Sequence, residues 1–406
     1  MTEAISVDVC VVGAGPVGGT LACVVASAGI STILVDRAAL LPMEHPAFDG
    51  RAYAIASGSR VLLQEAGLWE MLPDPPNPIL DIRVTDGWVG RPASRLHLHF
   101  DHREAGDAPF GWMVEARSLR RALNARVRAL PDLQVFAPAE AFVDRTADGV
   151  LVRVAGGPSA ACRLVIAAEG RSSPLREAAG IPVTRFDYPQ TGIVCAISHE
   201  LPHLGVALEH FLPSGPFAVL PMAPSADAEA GGAQNVSAVV WTERTRIAAT
   251  MLGLDDTRFA REIRRRLGGH LGAVHTVGRR WNYPLSAMLA HRYVDTRLAL
   301  AGDAAHGIHP IAGQGLNLGF RDAIALAGLL IEAKQAGEDV GSPALLARYQ
   351  RARRPDNLAM LAMTDGLDRL FSSNNPLLRL ARDLGIAAVD QARPVKRVFM
   401  RQAMGV

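Results

Sequence analysis

Cysteine is scarce in this chain, and what there is lies scattered. Cys10, Cys23, Cys162 and Cys195 are the only four among 406 residues. No CxxC pair occurs, so neither a disulfide framework nor a zinc site is indicated, and no metal is expected. Cys10 and Cys23 sit in apolar runs, as core residues of a reducing compartment would. Net charge is equally small. A formal +2 gives no case for nucleic acid or a strongly acidic substrate. Outside the strand–helix pattern, no uninterrupted apolar run reaches the ~18 residues of a membrane span. The first strand begins by Val7, leaving no room for a charged segment and an apolar segment ahead of it, so a secretory signal is not expected. The expectation is a cytoplasmic protein, either soluble or peripheral to the inner membrane.

What the chain does contain is apolar residues and glycine in two particular places. Hydrophobic residues make up 49% and charged residues 20%, a globular balance, and the length allows two or three structural units. Val7 to Val12 is a β-branched run followed by Gly13-Ala14-Gly15-Pro16-Val17-Gly18 and an apolar helical stretch to Ala28. Gly29 closes that helix, Ile33 to Val35 gives a second strand, and Asp36 ends it. Strand, GxGxxG, helix, strand and acid form the βαβ dinucleotide fingerprint in its required context. Gly13, Gly15 and Gly18 permit the tight turn and let the backbone reach a pyrophosphate at the helix start. Asp36 is placed to accept hydrogen bonds from a ribose.

The second place runs from Ala299 to Asp322, ALAGDAAHGIHPIAGQGLNLGFRD. An apolar strand end turns at Gly302, passes through a loop with Gly307, Pro310 and Gly313, and enters a helix near Gly315. So much glycine lets backbone N–H groups approach a flat or phosphorylated ligand. The helix that follows aims its free N–H groups and positive dipole end at the same place. Asp303 suits hydroxyl groups, and the N–H groups of Gly315, Leu316 and Asn317 suit a developing anion. His306 and His309 are acid/base candidates because histidine as a residue type titrates near neutrality, yet a histidine in a tight Gly/Pro loop is as often a hydrogen-bonded structural residue.

Together the two stretches resemble the FAD-dependent aromatic hydroxylases of the para-hydroxybenzoate hydroxylase type, and more narrowly their ubiquinone-biosynthesis branch. The likeness extends to Asp49-Gly50-Arg51-Ala52-Tyr53-Ala54-Ile55, Glu115-Ala116-Arg117-Ser118-Leu119, the run His309 to Asn317 (HPIAGQGLN) and the C-terminal tail, so it is effectively full length. The resemblance implies FAD, dioxygen as co-substrate, and electrons from NAD(P)H or from a separate reductase, no second GxGxxG being present. It implies hydroxylation of a polyprenylated phenol through a flavin C4a-hydroperoxide held in a water-shielded pocket. Arg51 would reach the FAD pyrophosphate and Arg117 the cofactor, although each also reads as a surface arginine at a helix start. Asp303 would hold the ribitol, and the Gly315–Asn317 N–H groups would face the flavin N1 and C2 carbonyl. Pro310 would lie beside the ring. Pro310 and His309 are the candidates nearest the chemistry, and no catalytic residue is assigned. One departure stands out: the family's Asp-Gly pair is Glu169-Gly170 here.

The expected architecture is α/β, an FAD-binding Rossmann-like domain with an inserted antiparallel β-sheet substrate domain and C-terminal helices. The FAD-binding domain takes residues 1–71, 111–181 and 286–335; the substrate domain 72–110 and 182–285; the helical region 336–406. Within these, Arg51 to Leu63 reads helical, Ile82 to Thr85 and Leu96 to Phe100 read as strands, and Arg117 to Leu130 as a helix. Val135-Phe136, Val150 to Val154 and Leu164 to Ala167 read as strands returning to the nucleotide domain. Alternation at Ile193 to Ile197, Ala207 to Phe211, Ala218 to Leu220 and Val236 to Trp241 indicates an antiparallel sheet with one buried face, and Ser225 to Gln234 a mobile hairpin loop. Arg258 to Leu267 is a basic helix with a solvated face, and Leu345 to Met363 another helix.

In the tail, Leu377, Leu378, Leu380 and Leu384 share a helical face, with Arg379, Arg382, Arg393, Lys396, Arg397 and Arg401 adding charge. It reads either as an amphipathic segment on anionic lipid or a partner protein, such as others of ubiquinone biosynthesis, or as a packing helix with a solvated end. Two further functions stay open: hydroxylation of a small soluble aromatic acid, and a flavin-containing scaffold subunit of a biosynthetic complex.

Overall fold

The computed structural model describes residues 5–40, 50–91, 97–224, 235–371 and 392–405. The expected α/β architecture is found. One sheet runs Val294–Asp295, Leu298–Leu300, Leu164–Ala167, Val9–Val12, Thr32–Val35, Leu133–Phe136. Five of its strands are parallel, and the short first one pairs antiparallel at the edge. Val9–Val12, Thr32–Val35 and Leu164–Ala167 are buried at every position, as strands covered on both faces must be. Helices Pro16–Ser27 and Gln314–Ala336 complete the nucleotide-binding unit. Cys10, Cys23, Cys162 and Cys195 are all buried free thiols.

The second large sheet has eight strands, ordered His306–Gly307, Val274–Ala290, Val183–His199, Val236–Arg244, Gly215–Met222, Val206–Leu212, Asp81–Asp86, Leu98–Asp101. It gathers the segments on both sides of residues 111–181, and a strand from the glycine-rich loop joins its edge. The alternating runs around Ile193, Ala207, Ala218 and Val236 are strands of this sheet, as expected; its pairs are antiparallel except that Val206–Leu212 runs parallel to Asp81–Asp86. The long Val274–Ala290 strand escapes the pattern because Arg279, Arg280 and Asn282 interrupt the apolar alternation.

Three expectations need correction. Arg51 to Leu63 is not one helix: Ala52–Ala56 is a strand paired with Gly111–Glu115, and the helix is Ser57–Glu65. The Asn317 side chain holds that strand, accepting from Ala56 N–H (2.9 Å) and donating to the Ala54 carbonyl (2.8 Å), so tertiary bonding overrides the helix preference of alanine. Val150–Val154 lies outside the parallel sheet, in a four-stranded sheet with Ala141–Arg145, Ser159–Cys162 and Ile5–Ser6. The basic helix, Asp256–Leu267, is not wholly solvated: Arg266 is buried against Glu243 and Glu262 (3.1 and 2.7 Å) with its guanidinium over the Trp241 ring. Residues 225–234, expected as a hairpin loop, Asp49 and the tail positions Leu377, Leu378, Arg379, Leu380, Arg382 and Leu384 lie outside the described residues.

Helices Pro16–Ser27 and Gln314–Ala336 meet at a point where only glycine fits. A Cβ on Gly319 would lie 2.5 Å from Cγ2 of Val17, and one on Gly302 would lie 3.2 Å from the same atom. Valine is stiff at χ1 and cannot swing aside. Gly319→Ala therefore sets about 1–3 kcal/mol of overpacking against a helix-propensity gain of about 1 kcal/mol. Net destabilisation is expected, with a lower Tm. Gly328, in the same helix, has open space around it, so Gly328→Ala should raise Tm. Thermal melts of the two variants check the sign of each.

Candidate active site

A single continuous cavity of about 1230 Å³ joins the two glycine-rich stretches. That exceeds the roughly 300–1,000 Å³ of a pocket for one drug-sized ligand. At one end lie Gly13, Gly15 and Asp36; in the middle Asp303, Pro310, Gly315, Leu316 and Asn317; at the other end Leu367, Leu370, Phe371, Phe399 and Met400. The two helices that bracket the first half start without a side-chain cap, at Gly15 and at Gly313, the latter left-handed with φ 62°. Their uncapped N–H groups and dipole ends are available to an anion in the cavity.

The glycines have distinct jobs. Gly13 has φ +108°, and a Cβ there would lie 2.3 Å from the Ala168 carbonyl oxygen; one on Gly18 would lie 2.1 Å from that of Gly13. Those two make the turn and its packing. Gly15, Gly170 and Gly315 line the cavity and face open space where a Cβ would stand, which leaves backbone free for close approach by a ligand. Asp36 accepts from Ala14 N–H (2.6 Å) and Ala38 N–H (2.7 Å). A carboxylate has about four acceptor sites, so lone pairs remain for ribose hydroxyls.

Asp303 is half exposed and pairs with Arg171 (3.1 Å), whose guanidinium also donates to the Ser286 carbonyl and hydroxyl. Arg171 thus ties the Glu169-Gly170 turn to the central loop, a role that nothing in its local sequence announces. Glu169 accepts from Ser173 Oγ (2.5 Å) and Leu175 N–H (3.2 Å). Burial raises its pKa in spite of those bonds, and the longer arm serves as a helix cap. Arg120, also unforeseen, donates to the Ala14 carbonyl (2.7 Å) and braces the fingerprint turn.

Neither Arg51 nor Arg117 is among the described residues that line the cavity. Arg51 lies exposed with its guanidinium 4.4 Å from the centre of the Trp281 ring. Arg117 is buried, bonded to Glu115 (2.7 Å) and near Asp74 (3.8 Å). The histidines differ from each other. His306 is locked to Asp322 (2.5 Å), which also takes Gly302 N–H, Arg353 and Asn357. His309 is fully buried, edge-on to Tyr188, with Asp368 at 3.7 Å and, among the described residues, no hydrogen bond to either ring nitrogen. Burial lowers its pKa against the opposing pull of Asp368 and Asp365. Pro310 lines the cavity, while His309 does not.

A family model described as an FAD binding domain matches residues 6–364. The chain belongs to that family. It is an FAD-dependent aromatic hydroxylase of the para-hydroxybenzoate hydroxylase type, and the open backbone at Gly15 and Gly315 fits that cofactor. Among curated proteins it is 48% identical to the ubiquinone hydroxylase UbiL of Rhodospirillum rubrum, over 98% of this chain and 89% of that one. It is 32% identical to the 3-demethoxyubiquinol 3-hydroxylase of Escherichia coli, over 98% of each. A solved structure of PqsL, a probable FAD-dependent monooxygenase from Pseudomonas aeruginosa, superposes with TM-score 0.75 at 22% identity, covering 94% of this chain and 99% of that one. Among the described residues of this hydroxylase no helix is long and apolar enough to cross a membrane.

The Asp322 cluster gives a pH prediction. Burial pushes the Asp322 carboxyl up, but the charges and hydrogen bonds of His306 and Arg353 outweigh it and hold the pKa below its ordinary value. A carboxylate with a depressed folded pKa contributes stability above its unfolded pKa, about 4, and that stability is lost as pH falls through the folded value. Asp322→Asn removes the buried carboxylate shared by Arg353 and His306, leaving Arg353 only its outer partner Asp356 (2.8 Å), and should cost up to about 3–5 kcal/mol at pH 7. Denaturant melts from pH 7 to pH 3 should show the wild type losing more stability than the variant.

Proposed function

We propose that this hydroxylase acts on a polyprenylated phenolic intermediate of ubiquinone biosynthesis. The observation that carries the reading is the apolar far half of the cavity, which continues past the cofactor site to the C-terminal helices. A prenyl chain fits a wall of Leu220, Leu367, Leu370, Phe371, Phe399 and Met400, all of which line the cavity. A small aromatic acid would call for a cation there, yet among the described residues the lining arginines are Arg37, at the nucleotide end, and Arg171, already paired with Asp303 at the central loop. The names of the two relatives point to the same substrate class.

Each residue then has a task. The uncapped helix start at Gly15 takes the pyrophosphate of FAD, Asp36 a ribose, and Asp303 the ribitol. First-turn N–H groups at Gly315, Leu316 and Asn317 stabilise negative charge on the reduced ring system, where preorganised donors act without reorganising. Bound FAD, with NAD(P)H or a reductase as donor, supplies dioxygen activated toward an electron-rich ring. The apolar walls exclude water from that reaction.

Access for so apolar a substrate is provided by helix Arg393–Met404. Met400 and Met404 are buried, whereas Val395, Val398 and Phe399 are exposed beside exposed Arg397 and Arg401. Lys396 turns inward to Glu104 (2.9 Å). An outward face of apolar and cationic side chains suits an anionic lipid surface, and Phe399 also walls the cavity. Vesicles containing anionic lipid should co-sediment the wild type, and the double variant Val398→Glu/Phe399→Glu should bind them roughly tenfold more weakly. Equal binding would remove the lipid contact.

The reaction is tested by incubating FAD-loaded protein with a short-chain prenylated phenol in detergent, oxygen and NAD(P)H, followed by mass spectrometry. One added oxygen on the ring is expected. Asp303→Asn should lower FAD affinity by roughly tenfold through loss of charge-assisted hydrogen bonds. Flavin reduction without ring oxygenation would contradict this substrate class, and product from a small aromatic acid alone would favour the soluble-substrate alternative. Lack of turnover even with an added reductase would favour a scaffold role.

A further inference from the structure

Where strands Asp81–Asp86, Val206–Leu212, Gly215–Met222, Val236–Arg244 and Val183–His199 wall the cavity, their lining residues are apolar except at one position, Tyr283 and Ser286 lying one strand further on. In strand Val206–Leu212 the side chains alternate, and Ala207, Glu209 and Phe211 share the face toward the cavity, which Leu208 also borders. His210 is buried on the other face, where it bonds to Thr85 (2.6 Å). Cross-strand register places Glu209 opposite Val84 on one side and Ala218 on the other. Ala218 in turn faces Val240, and Val240 faces Val194. All five residues of this row line the cavity. The row is four aliphatic side chains and one carboxyl.

Nothing nearby accounts for that carboxyl. Among the described residues Glu209 has no hydrogen-bond or ion-pair partner. Strand Gly215–Met222 carries no titratable residue. On strand Asp81–Asp86, Arg83 points to the opposite face by alternation, and Asp86, buried two residues along from Val84, is an acid too. The C-terminal helices present Met363, Leu367, Phe371, Met400 and Gln402 to the cavity. The other charged lining residues are accounted for elsewhere: Asp36, Arg37, Glu140 and Glu169 belong to the nucleotide end, and Arg171 and Asp303 pair with each other at the central loop. Burial alone pushes the Glu209 pKa up to about 8, since no cation offsets the loss of water. A polar group left unpaired in such surroundings is costly. It is accounted for if a ligand supplies the missing partner.

We propose that Glu209 binds the ring hydroxyl of the aromatic substrate and thereby sets which ring carbon is presented for oxygen transfer. The proposal rests on the reading of the cavity as a phenol site. The substrate O–H donates to a Glu209 carboxylate oxygen. A carboxyl raised toward 8 and a phenol near 10 are far better matched as proton partners than the two are in water. As a ring carbon bonds to one oxygen of the activated dioxygen, the O–O bond breaks and the other oxygen leaves with the bonding pair, to end as water. The proton moves from the phenol oxygen toward the carboxylate, and the electron density left on oxygen feeds the ring. When the attacked carbon loses its own proton to solvent, the phenol oxygen takes its proton back and the ring is aromatic again. Glu209 ends as it began.

Equilibrium binding tests this without turnover. FAD-loaded protein is titrated with a short-chain prenylated phenol and with its O-methyl ether, following the flavin absorbance, between pH 6 and pH 9. Wild type should prefer the phenol by roughly tenfold or more, the scale of one hydrogen bond to a charged group. That preference should grow as pH rises through about 8, where the carboxylate form appears. Glu209→Gln should keep part of the preference, because its amide oxygen still accepts, but lose the pH dependence. Glu209→Leu should bind phenol and ether alike. A Glu209→Leu protein with the wild-type preference and pH dependence would overturn the assignment while leaving the phenol site standing. Wild type that binds neither compound would instead overturn the phenol-site reading, and this assignment with it.

Discussion

The arrangement depends on Val17 standing between Gly302 and Gly319. Where those glycines leave room, helices Pro16–Ser27 and Gln314–Ala336 approach closely enough for both uncapped N-termini to open on the same cavity. Each helix start alone is an anion site. Side by side they suit a ligand with a phosphate at one end and a ring that becomes anionic at the other. The two stretches that supply them lie some three hundred residues apart in sequence, and the parallel sheet brings them together through Leu164–Ala167.

A second layer holds that geometry from behind. Asp322 sits one turn beyond Gly319 and gathers His306, Gly302 N–H, Arg353 and Asn357. Asn317 stitches strand Ala52–Ala56 to the start of the same helix. A buried acid serving this many donors fixes a unique backbone path for the loop, because each lost partner leaves a charge or donor unsatisfied in a low-dielectric interior. His306, attractive as an acid or base in the sequence, is spent on this framework. The chemistry is left to backbone N–H groups and to the walls of the cavity.

How legible all this was depends on the range of the interactions concerned. The fingerprint and the central loop could be read because glycine at a tight turn is a local requirement, visible in a window of a few residues. Strands around Ile193 and Val236 were visible because alternation is local too. Arg51 and Arg117 were placed by resemblance, and their partners in the structure, Trp281 for one and Glu115 with Asp74 for the other, depend on tertiary packing and rotamers. Arg171 and Arg120 act across more than a hundred residues of sequence. Glu209 was the least legible: in ALEHFL it is one polar residue of an alternating strand, and only the register with Val84 and Ala218 shows it turned inward.

The central claim is that one cavity holds FAD along the two helix starts and a phenolic ring against the eight-stranded sheet. The most direct measurement is a crystal structure of the FAD-loaded protein with a short-chain prenylated phenol. The account predicts the pyrophosphate at Gly15, the flavin ring at Gly315 and Pro310, and the phenol between that ring and the Glu209 row with its chain toward Phe371. A flavin elsewhere, or a phenol ring lodged away from the sheet, would contradict it.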